Sequence, residues 1–158
     1  MRRILVLLMI LLPLEAQALS CLRPSVARSF LEYDRAEETY IVVQGRLTFN
    51  ESLLPRNSYG EVAPPQMTKV PAHLTGKSLN RSGFKVPFEQ DLTLEVACFG
   101  PWCGGAKTGG EVLAFLRVDE GGHALDVNPC GGALFPEPRP DMLKTARTCL
   151  QGGRCQPD

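Results

Sequence analysis

Thr39-Tyr40-Ile41-Val42-Val43-Gln44-Gly45-Arg46-Leu47-Thr48-Phe49 decides how the rest of the chain is read. Ile41, Val43, Gly45, Leu47 and Phe49 alternate with Val42, Gln44, Arg46 and Thr48, the period of two that sends successive side chains to opposite faces of a sheet. The run is long for a strand. Gly45 sits half-way along it, where a bulge or a sharp coil fits. A long strand bent at a glycine is how a small barrel turns a corner, so this stretch predicts a coiled strand in a closed barrel.

Working outward, residues 50–66 are polar and carry Pro55, Gly60, Pro64 and Pro65, which reads as a loop. Val70, Ala72 and Leu74 alternate within Met67 to Gly76, interrupted by Pro71, and predict an edge or bulged strand. Asn80 to Gly83 is a turn. Leu92, Leu94, Val96 and Cys98 alternate with Thr93, Glu95 and Ala97 in another strand. Val112 to Val118 is apolar enough to be buried on both faces. Gly121-Gly122 then signals a hairpin into Ala124 to Val127.

Helices flank the strands. Pro24 to Tyr33 carries Val26, Ala27, Phe30 and Leu31 at helical spacing, with Pro24 placed in its first turn. Pro140 to Leu150 sets Met142, Leu143, Ala146 and Leu150 on one face. The expectation is a mainly β fold, a five-stranded barrel with a short leading helix and a trailing helix, in one domain over residues 19–158. A chain of this size buries about two-thirds of its unfolded surface, so a monomer is expected to fold without a partner.

The first residues read as an address. Arg2 and Arg3 precede the apolar run Ile4 to Leu12, Pro13 breaks it, and Ala16-Gln17-Ala18 offers small residues at a cleavage site. The run is far short of the roughly 20 residues a membrane span needs. Residues 1–18 are therefore expected to be a signal peptide. Cleavage after Ala18 is favoured, and cleavage after Ser20 would leave Cys21 first. Lipidation of Cys21 is a third route, but Ala18 stands where that chemistry prefers Leu. Removing Arg2, Arg3 and Glu15 leaves 15 basic and 16 acidic side chains. No later segment is long and apolar enough for an anchor. The product is expected to be periplasmic or secreted.

All six cysteines, Cys21, Cys98, Cys103, Cys130, Cys149 and Cys155, follow the cut. An even count in an exported chain is read first as disulfides. A zinc site wants C-x-x-C pairs or nearby histidines, and His73 and His123 sit near no cysteine, so no metal or cofactor is expected. Six cysteines allow about 15 pairings, and sequence alone does not choose among them. Locality suggests Cys98–Cys103 and Cys149–Cys155, which leaves Cys21–Cys130. Trp102-Cys103-Gly104 is similar to the start of a thioredoxin active site, yet Gly105 and Ala106 follow where a second Cys belongs.

Composition narrows the function. With 17 basic and 17 acidic residues, 44% apolar and 22% charged, the 158-residue chain is no collagen, coiled coil or disordered polymer. Neutrality argues against a nucleic-acid binder, which needs excess Lys and Arg to displace counterions. No nucleophile–base motif or P-loop is present. Glu37-Glu38 and Asp119-Glu120 read as solvated charges beside strands.

The layout resembles the netrin-like domain, the OB-fold barrel of the tissue inhibitors of metalloproteinases. The resemblance rests on an ordered set. Cys21 follows the signal peptide, a short helix comes next, and then a strand reaches Val43-Gln44-Gly45. Cys103-Gly104 precedes Val112-Leu113-Ala114-Phe115-Leu116, Cys130 closes the next strand, and Cys149 lies late in the last helix. The set spans nearly all of residues 19–158. Inhibitors of this family open with C-x-C, and the amino group and carbonyl of the first Cys bind the protease's zinc. Here Leu19-Ser20-Cys21 stands there, and Leu19 brings no disulfide. The resemblance implies that Cys103, lacking its family partner, is free for Cys98. It also implies that Cys155 replaces the partner missing near Phe30 and Leu31.

The leading expectation is an exported, non-enzymatic module that binds a protein partner. Candidate contacts are the terminus (Leu19, Ser20, Cys21), the loop from Asn50 to Gln66 and the turn holding Phe99 and Trp102. Trp102 is either an interface anchor or a cap on the core. The alternatives are a metalloprotease inhibitor acting through the processed terminus and a periplasmic enzyme. Single-stranded nucleic-acid binding would follow from the OB-fold resemblance alone, and neutral charge opposes it.

Overall fold

The computed structural model describes residues 19–58 and 62–157. The expected signal peptide, residues 1–18, lies outside the described residues. β1 runs over Thr39–Phe49 and sits between two neighbours that take over from one another. Its first part, Thr39 to Arg46, pairs with β5 (Glu111–Asp119), and its second, Val43 to Phe49, pairs with β2 (Met67–Asn80). Gly45 lies in the overlap, directly opposite Gly76. A Cβ on Gly45 would run into the Thr75 carbonyl, and one on Gly76 into that of Gln44. The two backbones cross at a distance only glycine permits. Of the bulge or sharp coil expected at Gly45, the bulge is absent, since both registers run unbroken through it. The register shift falls at Ser78/Leu79, between β2 and β3 (Gly83–Phe99).

β3 continues the ring by pairing in parallel with β6 (Gly122–Val127), and β6 returns antiparallel to β5. Hydrogen-bonded neighbours thus close a ring through five strands of a seven-stranded sheet. The two others are short and were not expected: β4 (Trp102–Cys103) on β3 and β7 (Leu134–Pro136) on β5. β2 and β3 also run beyond the expected Gly76 and Leu92: Lys77 and Ser78 still pair with β1 as well as with β3, whereas the added first part of β3 pairs with β2 alone.

Two cores result. Val43, Leu47, Val70, Leu74, Leu94, Val96, Leu116 and Leu125 fill the inside of the ring. Outside it, α1 (Val26–Asp34) and α2 (Pro140–Leu150) cover the other face of β5, where Val26, Leu113, Phe115, Phe135 and Ala146 are buried together. That double covering is why Val112 to Leu116 is buried at every residue. Pro24 lies just before α1 instead of in its first turn, with Ser25 as the N-cap. Leu150, expected on the packed face of α2, is 36% exposed at the helix end. The cysteines pair as Cys21–Cys130, Cys98–Cys103 and Cys149–Cys155. No helix among the described residues is long and apolar enough to cross a membrane.

Candidate interaction surface

Alternation in β3 points Leu94, Val96 and Cys98 inward, leaving Glu95, Ala97 and Phe99 on the outer face. Beyond Phe99 the chain reverses at Gly100, whose φ of 60° favours glycine. It returns as β4, with Cys103 opposite Cys98 and Trp102 opposite Phe99. Met67 opposes Ala97 on the other side. Cross-strand partners share a face, so Met67, Phe99 and Trp102 gather on the outside of one hairpin. Met67 is 49% and Phe99 43% exposed, and Trp102 is half-buried.

The loop from Asn50 to Gln66 is pinned against this hairpin. The Cys103 amide donates to Asn57 Oδ1 at 2.8 Å, the Ser58 amide to the Pro101 carbonyl at 3.3 Å, and the Cys98 amide to the Gln66 carbonyl at 2.9 Å. Farther along, Glu51 Oε1 accepts from the Thr108 amide at 2.7 Å. Two of the three segments singled out in the sequence therefore form one surface, crosslinked by Cys98–Cys103.

The third segment arrives separately. Leu19, Ser20 and Cys21 are exposed, and Cys21 is tied to Cys130 just beyond β6. Val96 and Val127 are register partners, so β6 ends near the end of β3, and Gly104 lies against Val127 and Asn128. Residues 19–21 and the hairpin thus share one end of the ring. No hydrogen bond or ring contact joins them among the described residues.

A charged network that sequence reading missed adjoins the hairpin. Glu95 faces Lys69 across strands at 3.2 Å and accepts from Arg117 at 2.8 Å. Arg117 also meets Asp119 at 3.0 Å and Asp126 at 3.5 Å. Asp119, expected to be a solvated charge, is one of its partners. Arg117 holds the Glu95 carboxyl below the usual range, whereas burial raises Asp126 against the pull of Arg117. The Tyr33 and Tyr40 rings stack 4.4 Å apart nearby, and burial pushes both phenols up. The signal was available: Glu95, Arg117 and Asp126 each stand between apolar neighbours within a strand.

The histidines do not combine. His73 Nδ1 lies 2.7 Å from Asp91 Oδ1, an exposed cross-strand pair, with Glu89 3.9 Å from Nε2. His123 is the partner of Leu92 and meets the edge of Phe88. Asp91 and Leu92 are consecutive, so the two histidines stand on opposite faces of the sheet. Among the described residues no three His, Cys, Asp or Glu side chains gather as metal ligands. No family model, curated protein or solved structure matches the chain.

Proposed function

We infer that the chain is an exported, disulfide-bonded, protein-binding module of netrin-like, OB-like build that acts without catalysis. The observation that carries this reading is the outer face of the Phe99–Trp102 hairpin. Two large apolar side chains, Met67 and Phe99, stand nearly half exposed there beside a half-buried tryptophan. Aromatic and methionine side chains are what protein interfaces are enriched in, and a crosslinked hairpin spends little entropy on docking.

The OB-like build draws support from the ring, which takes five strands out of chain order as a Greek-key ring does. Export draws support from the three disulfides, which persist in oxidising compartments, and from the basic start and apolar run of residues 1–12.

Affinity capture from the native medium or envelope tests the binding reading. Immobilised wild-type chain should retain a specific protein that Phe99→Ser and Met67→Ser lose at unchanged melting temperature. Equal retention by all three would remove the hairpin from the interface. A second reading is inhibition of a metalloprotease by the processed terminus. It draws on Cys21–Cys130, which anchors Leu19 and Ser20 beside a crosslink while both stay exposed. A chain beginning at Leu19 that leaves zinc-protease activity unchanged in molar excess would exclude it.

A further inference from the structure

β5 and β6 pair only where Arg117 to Asp119 meets Gly122 to Ala124. Nearer its start, β5 takes β7 as its neighbour, over Val112 to Ala114. β6 meanwhile continues beside β3 as far as Val127. On the side away from β3, Leu125, Asp126 and Val127 therefore have no paired strand among the described residues, and β7 pairs only with β5.

Between these two open edges lies a groove of about 740 Å³. Val112, Val127, Leu134 and Pro136 line it, and the first three belong to or pack against the inner core. The glycine-rich segment 105–110, with Asn128 and Gly131, forms much of the rest of its wall. At the lip, Glu137 holds a φ of 47°, and its amide donates to the Glu111 carbonyl at 2.9 Å. A non-glycine residue in that region is strained, and such strain clusters at ligand clamps. Glu111, Asp126 and Glu137 line the groove, against one lysine, Lys107, and Asp126 is met by Arg117. Glu111 also faces Arg46 at 3.6 Å in an exposed pair.

We propose that this groove takes an extended segment of a partner protein, alternating apolar and basic residues, as an added strand along β6. Main-chain hydrogen bonds to the open edge supply affinity, and alternate side chains supply specificity. The segment's apolar side chains rest on Val112, Leu134 and Pro136, and its basic ones meet the Glu111 and Glu137 carboxylates. The inference rests on the protein-binding reading and adds a second surface that contains neither Phe99 nor Met67.

The test is NMR titration of the labelled chain, residues 19–158, with a blocked hexapeptide of alternating lysine and valine. Two controls accompany it: the same peptide N-methylated at alternate amides, and a glutamate–valine peptide. The lysine peptide should move the amide signals of Asp126 to Asn128 and of Leu134 and Phe135. N-methylation should weaken it at least about tenfold, since the strand hydrogen bonds are then lost. The glutamate peptide should bind more weakly, and Glu137→Gln should narrow the difference. No shift with the lysine peptide at millimolar concentration overturns the proposal. So does equal binding of the N-methylated peptide, which would mean that the groove takes apolar groups without adding a strand. Neither result touches capture through Phe99, which is read with the hairpin variants.

Discussion

Gly45 and Gly76 face each other because the strands cross there with no room for a side chain. Replacing Gly45 with Ala forces the Thr75 carbonyl aside, and overpacking of this kind costs about 1–3 kcal/mol. A urea midpoint for Gly45→Ala equal to wild type would show that the crossing yields freely. Arg117 is a second position where one side chain holds several elements. It is 20% exposed and Glu95 14%, so the roughly 3–5 kcal/mol for breaking a buried pair is discounted to about 1–3 kcal/mol for Arg117→Gln. The pH dependence follows from the two carboxylates. Glu95 titrates below its unfolded value because Arg117 donates to it, so its stabilisation is present above the ordinary carboxylate range. That stabilisation is lost as pH falls through the folded value. Asp126 is raised by burial, so its charge is a cost that is relieved as pH falls from the folded value toward the ordinary one. Acidification thus relieves Asp126 first and strips Glu95 afterwards. Denaturation midpoints against pH should show a loss below the ordinary range that is smaller in Arg117→Gln.

At the scale of elements, β5 is the strand with a core on each face. Phe115 is 1% exposed on its outer face, between the rings of Tyr33 at 5.3 Å and Phe135 at 6.1 Å. Phe115→Ala should cost about 3–5 kcal/mol in chemical unfolding. It should also loosen α1 and α2 from the sheet, read as faster amide exchange in both helices. The apolar run Val112 to Leu116 made this strand legible, as alternation did for β1 and periodicity for α2. The first half of β3 was not legible. Lys85, Val86, Pro87 and Glu89 are exposed on a stretch that pairs only with β2, and Phe88 is buried among exposed neighbours, so no alternation marks it. β4 and β7 were missed for a related reason: two- and three-residue strands exist only through their neighbours, and a short run has no period to read.

For the whole molecule, the disulfides differ in what they hold. Cys21–Cys130 spans 109 positions and Cys98–Cys103 only five. In the chain-entropy treatment these loops correspond to about 4.7 and about 2 kcal/mol. The Cys21→Ser/Cys130→Ser double variant should therefore lose clearly more stability than Cys98→Ser/Cys103→Ser, measured by thermal melting. The second pair should lose capture of the partner first, since it holds the hairpin that presents Phe99. Non-reducing peptide mapping of the purified protein should find no free thiol, as all six sulfurs are paired. The mainly β class, both helices, the central strands and the locally suggested pairings were determined by the chain itself, because periodicity and short sequence separation are local properties. Closure through a parallel β3–β6 pair, the Arg117 network, the gathering of Met67 with Phe99 and Trp102, and the groove between β6 and β7 were decided only by the tertiary structure. Each depends on register between strands far apart in sequence, and register is set by packing of the two cores together, which no single segment encodes.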